Sequence, residues 1–480
     1  VLVILGFGMV AVFMALIMTK RMTPVLALIV VPTVFGLFAG AGVGIGEFAL
    51  EAIGGLAPTA ALLMFAIIYF GVMIDVGLFD PVVRLILRVA GNDPVKVVVG
   101  TALLAAVISL DGDGSTTFIV TTSALLPIYL RLGLSPVVLT CIAGLANGVM
   151  NILPWGGPTA RAAAALDLQA SDVFVPMIPS LLAGIAVVFL FAWHLGILER
   201  RRLGGDIDAS VVGGAGATGG SRPAGRSGRG SRSGGPRGVV IADQRISTEN
   251  IRTLVDDHDT AMADTALDPT RPTLRPKLLW FNALLTVAVM VLLVLDILPL
   301  AYIFMAASAI AILVNFPRVK DQAERIVAHA PSIVGVVSMV LAAGVLIGVL
   351  EGTGMVTAMA EWVSASIPSS LGAFSAIITG LISMPMTFFL SNDAFYFGIL
   401  PVLAESAATF GVDPVDMARA SITGQVVHMQ SPLVPAILLL VSLAGVNLGD
   451  HHKKVLWRAV IVSLVMLLVA VLIGAVGIGA

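Results

Sequence analysis

Polar residues with chemical potential occur in this chain as four short islands inside long apolar runs: SLDGDGSTT at 109–117, NILPWGGPTAR at 151–161, LSNDAF at 390–395 and HMQSP at 428–432. Asp111 and Asp113 offer hard oxygen ligands for a divalent cation or a site for a coupling proton. Gly112 and Gly114 between them permit positive φ and a close backbone approach. Ser115, Thr116 and Thr117 can cap a half-helix whose free N–H groups favour an anion. Ser391 and Asn392 supply an uncharged donor and acceptor, and Asp393 a third carboxylate. Carboxylates in apolar surroundings are costly unless they are used. Arg161 follows a broken segment and is suited to hold a carboxylate by two N–H bonds; an ion pair within the protein is the other reading of the same residue. The unperturbed pKa of a histidine lies near neutrality, so His428 is a candidate proton carrier, or it can pack as a hydrogen-bonded histidine.

The elements that must position these islands are membrane helices. Of the 480 residues, 58% are hydrophobic and 12% charged, where a soluble chain carries about 25% charge. Unbroken apolar runs long enough to cross a hydrocarbon core recur, and a β-barrel would show alternating runs instead. The expected fold is therefore an all-α polytopic membrane protein. Spans are predicted near 2–19, 24–45, 57–79, 137–165, 175–196, 279–296, 298–316, 331–350, 415–443 and 456–478. Two further apolar stretches, 94–131 and 372–410, are interrupted at DGDGSTT and LSNDAF. Each reads as a re-entrant hairpin with its polar tip inside the protein. Pro154, Gly156, Gly157 and Pro158 interrupt one spanning helix, and Pro432 and Pro435 another.

A shift of 278 residues lays 132–154 over 410–432, pairing Gly133 with Gly411, Pro136 with Pro414, Pro154 with Pro432 and Ser115 with Asp393. Each half then has five spans and one hairpin. Because five is odd, the second half must be inverted relative to the first, an architecture of secondary transporters. The halves are 1–196 and 278–480. With the N-terminus outside, one face collects Lys20, Arg21, Arg84, Arg88, Lys96, Arg131, Arg318, Lys320, Arg325, Lys453, Lys454 and Arg458. The other collects Glu47, Glu51, Asp167, Asp172, Glu361, Asp413 and Asp416, with Arg161 and Arg419 as its main basic residues. That bias places both termini outside. Residues 1–19 lack the basic start and cleavage site of a signal peptide and read as a first span.

Between the halves, 197–277 is Gly/Ser/Arg-rich and reads as a flexible cytoplasmic linker. Its arginines lack interleaved aromatics and have acidic neighbours, so no nucleic-acid partner is expected. The lone cysteine, Cys141, excludes an internal disulfide. No P-loop pattern occurs, and no nucleophile–base motif suggests an enzyme. His451 and His452, beside Lys453 and Lys454, read as loop residues.

SLDGDGSTT with TSALLPIY, NILPWGGPTARAAAAL, FFLSNDAFYFGILPVL and TGQVVHMQSPLVPA closely resemble the citrate–divalent metal/proton symporter family of the ion transporter superfamily. The resemblance covers nearly all of both membrane halves. It implies proton-driven import of citrate complexed with a divalent cation of the Mg²⁺ or Ca²⁺ class, carried as cargo with no covalent cofactor. It also implies an elevator in which 94–165 and 372–443 move against a scaffold of 1–79 and 279–350, as a homodimer in the inner (plasma) membrane. By motif position the substrate-binding residues are Gly112, Gly114, Ser115, Thr116, Thr117, Asn151, Gly157, Thr159, Arg161, Ser391, Asn392, Gln430 and Ser431. Asp113 and Asp393 are assigned to the metal, and Asp111 and His428 to the coupling proton. A sodium- or proton-coupled carrier of uncomplexed di- or tricarboxylates would share this architecture.

The charge bias generates a topology test. In a Cys141→Ala background, a single cysteine at position 230 should resist an impermeant thiol reagent applied outside intact cells. Labelling of that residue from outside would reverse the assignment.

Overall fold

The computed structural model describes residues 1–19, 21–112, 114–213, 271–295, 297–366 and 368–479. Among them there are helices and turns and no strand. The first half comprises α1 Leu2–Met18, α2 Pro24–Phe38, α3 Ile45–Asp75, α4 Asp80–Ala90, α5 Pro94–Ile108, α6 Gly114–Arg131, α7 Pro136–Met150, α8 Gly157–Ala165, α9 Ala170–Phe174 and α10 Ile178–Gly213. The second comprises α11 Leu279–Leu295, α12 Leu300–Asn315, α13 Val319–Ala328, α14 Ala330–Gly352, α15 Met355–Ser366, α16 Ser369–Gly372 and α17 Ser375–Phe389. It continues with a π-helical stretch at Ala394–Ile399, α18 Leu400–Ala408, α19 Pro414–Ile422, α20 Gln425–His428, α21 Pro435–Leu443 and α22 Leu448–Leu472.

Six helices among the described residues are long and apolar enough to cross a membrane: Gly42–Asp75, Pro94–Asp111, Ala170–Gly204, Pro276–Leu295, Ala330–Gly352 and Leu448–Leu472. Three of the helices outrun the apolar stretches that announce them. Helix α3 begins at Ile45 and takes in 46–55; α22 begins at Leu448 and α10 runs on to Gly213. Hydropathy registers only the part of a helix that lies in hydrocarbon, whereas the backbone ladder continues until a cap ends it. The starts are set by local chemistry. Proline occupies the first turn of α5, α7 and α19, where no N–H is missed. Asp93, Asp413 and Asn447 accept from Val95 N, Val415 N and Gly449 N at 3.0, 2.9 and 2.8 Å, capping α5, α19 and α22.

The helices pack as two groups. In one, α3 lies against α14, α12 and α2, and α1 against α2 and α15. Helices α3 and α14 come so close that a Cβ on Gly348 would fall 2.2 Å from the Phe48 carbonyl oxygen; such approaches are how membrane helices gain contact without a hydrophobic drive between them. In the other group α5 packs on α10 and α7, α22 on α10 and α7, α6 on α21, and α17 on α19 and α20. Helix α8 touches both, through α19 on one side and α3 and α14 on the other, and α18, which packs on α19, also lies against α15.

Of the segment 197–277, residues 197–213 continue α10 and 271–277 pack at the end of α3; residues 214–270 lie outside the described residues. Arg271 donates from Nε to the Asp75 carbonyl and from Nη2 to the Ile74 carbonyl, both at 3.0 Å, and pairs with Asp80 at 3.0 Å. Thr273 donates to the same Asp75 carbonyl at 2.9 Å. The Asp75 carboxylate in turn lies 3.2 Å from Arg325 Nη1 and 3.2 Å from His329 Nε2. The end of α3 is thus fastened to α13, to the start of α14 and to the chain entering the second half.

At the same end of the bundle Arg200 of α10 lies 2.5 Å from Asp93. That hydrogen bond holds the Asp93 carboxyl below the usual carboxylate range. A depressed folded pKa gives stability that is complete above the unfolded pKa and is lost as pH falls through the folded one. Asp93→Ala should cost about 1 kcal/mol at neutral pH, Asp93→Asn less because it still caps. Denaturation in detergent should show both deficits narrowing on acidification; a deficit independent of pH would exclude the ion pair as its source.

Candidate functional site

The side chains at the two helix breaks donate to backbone carbonyls, most of them on neighbouring elements. Helix α7 stops at Met150 and the chain resumes as α8 at Gly157. In the gap the Thr159 hydroxyl donates to the Ile152 carbonyl at 2.6 Å, and Trp155 Nε1 donates to the Leu110 carbonyl at 2.9 Å. The second bond ties the gap to the tip of the α5–α6 hairpin. That tip turns through Gly112 at φ +79°, where a Cβ would also meet the Trp155 ring at 3.1 Å, so glycine is required twice over. In the other half the chain breaks between α20 and α21. There the Ser431 hydroxyl donates to the Phe388 carbonyl and His428 Nδ1 to the Thr387 carbonyl, each at 2.6 Å. Gln430 Nε2 reaches the Gly144 and Val426 carbonyls at 3.0 and 3.1 Å. Water-poor surroundings make such internal pairing obligatory.

The two breaks and the second hairpin tip meet at a polar centre. Asn151 Nδ2 and Asn392 Nδ2 both donate to Gln425 Oε1 at 3.3 Å, and Gln425 Nε2 donates to Asn392 Oδ1 at 3.1 Å and to the Tyr396 hydroxyl at 2.9 Å. Beside this amide cluster Arg161 Nε lies 2.6 Å from Asp393 Oδ1, with side-chain exposures of 17% and 9%. The bond joins the first half to the second. Gly157 makes room for it: a Cβ there would fall 2.6 Å from Arg161 Nη1. The guanidinium also directs Nη2 to the Met339 sulfur of α14 at 3.4 Å, so the pair sits where the two packing groups adjoin.

The predicted site residues divide by what the structure does with them. Asn151, Arg161, Asn392 and Asp393 converge on one centre. Ser391 stands at the same tip, where its Oγ accepts from Ala394 N at 3.2 Å. Thr159, His428, Gln430 and Ser431 spend hydrogen bonds on backbone carbonyls: Thr159 within its own break, His428 and Ser431 at the end of α17, and Gln430 on α7 and α20. At the first tip Asp111, Ser115, Thr116 and Thr117 are buried, and Thr117 lies 3.2 Å from Ser109, which accepts from Asn147 at 2.9 Å. Gly114 packs beside Asn147 and Met429. Asp113 lies outside the described residues. Among the described residues no three His, Cys, Asp or Glu side chains gather as a metal cage.

Gln425 and Tyr396 are central here and were not among the predicted residues. The repeat contained a signal for the first, since the same 278-residue shift lays Asn147 over Gln425. His451 and His452 are not loop residues but lie in the first turns of α22. His451 is fully buried, with Nδ1 3.1 Å from the Thr140 hydroxyl and Nε2 3.2 Å from Gln430 Oε1, while His452 Nε2 donates to the Gln430 carbonyl at 2.8 Å.

Residues 11–424 match a protein family described as citrate transporter, CitMHS. Three proteins of Bacillus subtilis (strain 168) are similar over nearly their whole length. A "Citrate transporter" is 47% identical, covering 98% of this chain and 99% of that protein. A "Mg(2+)/citrate complex secondary transporter" is 43% identical and an "Uncharacterized transporter YraO" 42%, each covering 99% of both chains. Among solved structures, the Alcanivorax borkumensis YdaH transporter aligns with a TM-score of 0.44 at 15% identity, over 89% of this chain and 86% of that one, a likeness too distant to carry a conclusion.

The Arg161–Asp393 geometry predicts strong coupling. Asp393→Asn alone leaves a buried guanidinium uncompensated and should cost about 3 kcal/mol. Adding Arg161→Gln should recover part of that loss. Additive losses in unfolding measurements on the two single variants and the double variant would show the residues to be independent.

Proposed function

This chain belongs to the citrate transporter family, and we propose that it imports citrate as a complex with a divalent cation, coupled to protons. Secondary transport of citrate is the activity of that family; the chain is a carrier and not an enzyme. The finer reading rests on one observation, the Arg161–Asp393 pair. A metal–citrate complex brings a cation and spare carboxylates together. On its arrival Arg161 can turn to a citrate carboxylate and Asp393 to the cation, so that each buried charge exchanges one partner for another and none is left bare. Citrate provides several of the cation's oxygen ligands itself, so the protein needs to add only one or two, Asp393 and Asp113. The amides of Asn151, Asn392 and Gln425 lie beside the pair to receive the remaining oxygens. The name of one relative, a Mg(2+)/citrate complex secondary transporter, supports magnesium as a cation of this kind.

The coupling proton is assigned to Asp111 and His428. The substrate contacts are assigned to the hairpin tip at Gly112, Gly114, Ser115, Thr116 and Thr117, and to Asn151, Gly157, Thr159, Ser391, Gln430 and Ser431 around the breaks. The inverted repeat is supported by recurring elements: Pro136 opens α7 and Pro414 opens α19, 278 residues later, and each half contributes one helical hairpin and one broken helix. The two packing groups suit an elevator in which 94–165 and 372–443 travel against 1–79 and 279–350. The Lys/Arg bias supports an inner-membrane protein with both termini outside, and the family resemblance supports a homodimer.

Uptake of labelled citrate into vesicles containing the protein tests the cargo. EDTA should abolish uptake, Mg²⁺ or Ca²⁺ should restore it, and collapsing the proton gradient should remove accumulation. Uptake that ignores EDTA and follows sodium would instead identify a sodium-coupled carrier of free carboxylates.

A further inference from the structure

Helix α22 contains a charge that the transport site does not use. Arg458 follows Lys454 by one turn and is only 6% exposed. Its guanidinium stacks 4.1 Å from the Trp457 ring and 5.6 Å from the Phe191 ring of α10. Nη1 donates to the Lys454 carbonyl within its own helix, and Nε has no acceptor among the described residues. The nearby acids are engaged elsewhere. Asp450 lies 3.6 Å from Lys453, and Glu199 holds Arg202 at 2.8 Å and the Ser135 amide at 3.0 Å. Arg458 opens instead into a cleft of about 350 Å³ formed with Ser135, Val137, Asp450, Lys453 and Lys454.

A guanidinium this buried, with no carboxylate in ion-pair reach among the described residues, is costly, and the group that answers its charge best is an oxyanion. Three cationic side chains face one carboxylate in this cleft, so its balance favours an anion. Its surroundings say what that anion is attached to. Trp457 is exposed beside Arg458, and Leu190, Trp193, Ile461 and Leu464 expose apolar side chains along α10 and α22. Tryptophan and arginine together at the end of an apolar helix mark the water–hydrocarbon boundary.

We propose that this cleft binds the phosphate of an anionic membrane phospholipid, held by Arg458 and Lys454, with the acyl chains lying along α10 and α22. A soluble oxyanion would satisfy the same donors but would gain nothing from the apolar flank.

The test uses the purified full chain in a nonionic detergent, with the thermal midpoint measured while dihexanoyl phosphatidylglycerol, dihexanoyl phosphatidylcholine or inorganic phosphate is titrated in. Phosphatidylglycerol should raise the midpoint saturably, the other two should not, and Lys454→Gln and Arg458→Gln should each weaken the apparent affinity on the order of 10-fold. Equal effects of the two lipids would overturn the proposal. So would a phosphate effect equal to that of phosphatidylglycerol, which would make the cleft a soluble-anion site, or unchanged affinity in Lys454→Gln. Should Arg458→Gln fail to fold, the contrast between lipids on the unaltered protein and the Lys454→Gln titration still decide.

Discussion

An amide or carbonyl stranded in hydrocarbon costs several kcal/mol, and the interior of this protein is arranged around backbone carbonyls that side chains at the two helix breaks reach. The donors differ between the halves. In the first, a threonine hydroxyl and a tryptophan N–H serve the carbonyls, and the tryptophan takes its acceptor from a hairpin tip. In the second, a serine, an imidazole and a glutamine carboxamide share the work, with two histidines of α22 closing the glutamine's remaining acceptors. Because the partners come from other helices, the breaks fix the relative positions of both hairpins, α7 and α22. Polarity that would be a defect in a simple spanning helix becomes the set of joints that holds the centre together.

The electrostatics follow from the same economy. Asp393 and Arg161 come from opposite halves of the chain, and neither has a place in hydrocarbon alone. Paired at 2.6 Å they are tolerated, and they hold the second hairpin tip against the start of α8. The neutral amides alongside add directional donors and acceptors without adding charge, so the centre can accept a doubly faced cargo without becoming a strong field of either sign.

Much of this was legible in the sequence, for a local reason. DGDGSTT, PWGGP and SND are anomalies against apolar flanks, and an anomaly of composition needs no knowledge of tertiary contacts. Helix ends were legible only where the hydrocarbon boundary coincides with a cap, which is why α3 and α22 start earlier than their apolar runs. The pairing of Arg161 with one carboxylate, 232 residues away, was not legible; sequence offers the charges but not their encounter. Gln425 was overlooked because a glutamine carries no charge to stand out, although its repeat partner Asn147 was visible. His451 was misread from its lysine neighbours. Helical spacing corrects this, since His451, Val455, Arg458 and Val462 fall on one face and all four are buried.

The contact between the two packing groups at the site is made of soft material. Arg161 and Asp393 both belong with the hairpins and broken helices, and what Arg161 offers to α14 is an N–H against a thioether sulfur. Nearby, Trp155 meets Phe70 of α3 and Phe304 of α12 ring to ring, at 5.2 and 5.0 Å. A thioether is a weak acceptor, and tilted or edge-on ring contacts like these are each worth only about 1 kcal/mol beyond the area they bury. Shear along this surface would break no ion pair and uncover no carboxylate there. Among the described residues the ion pair at this centre therefore lies within one packing group, and what Arg161 and Trp155 offer to the other is weak.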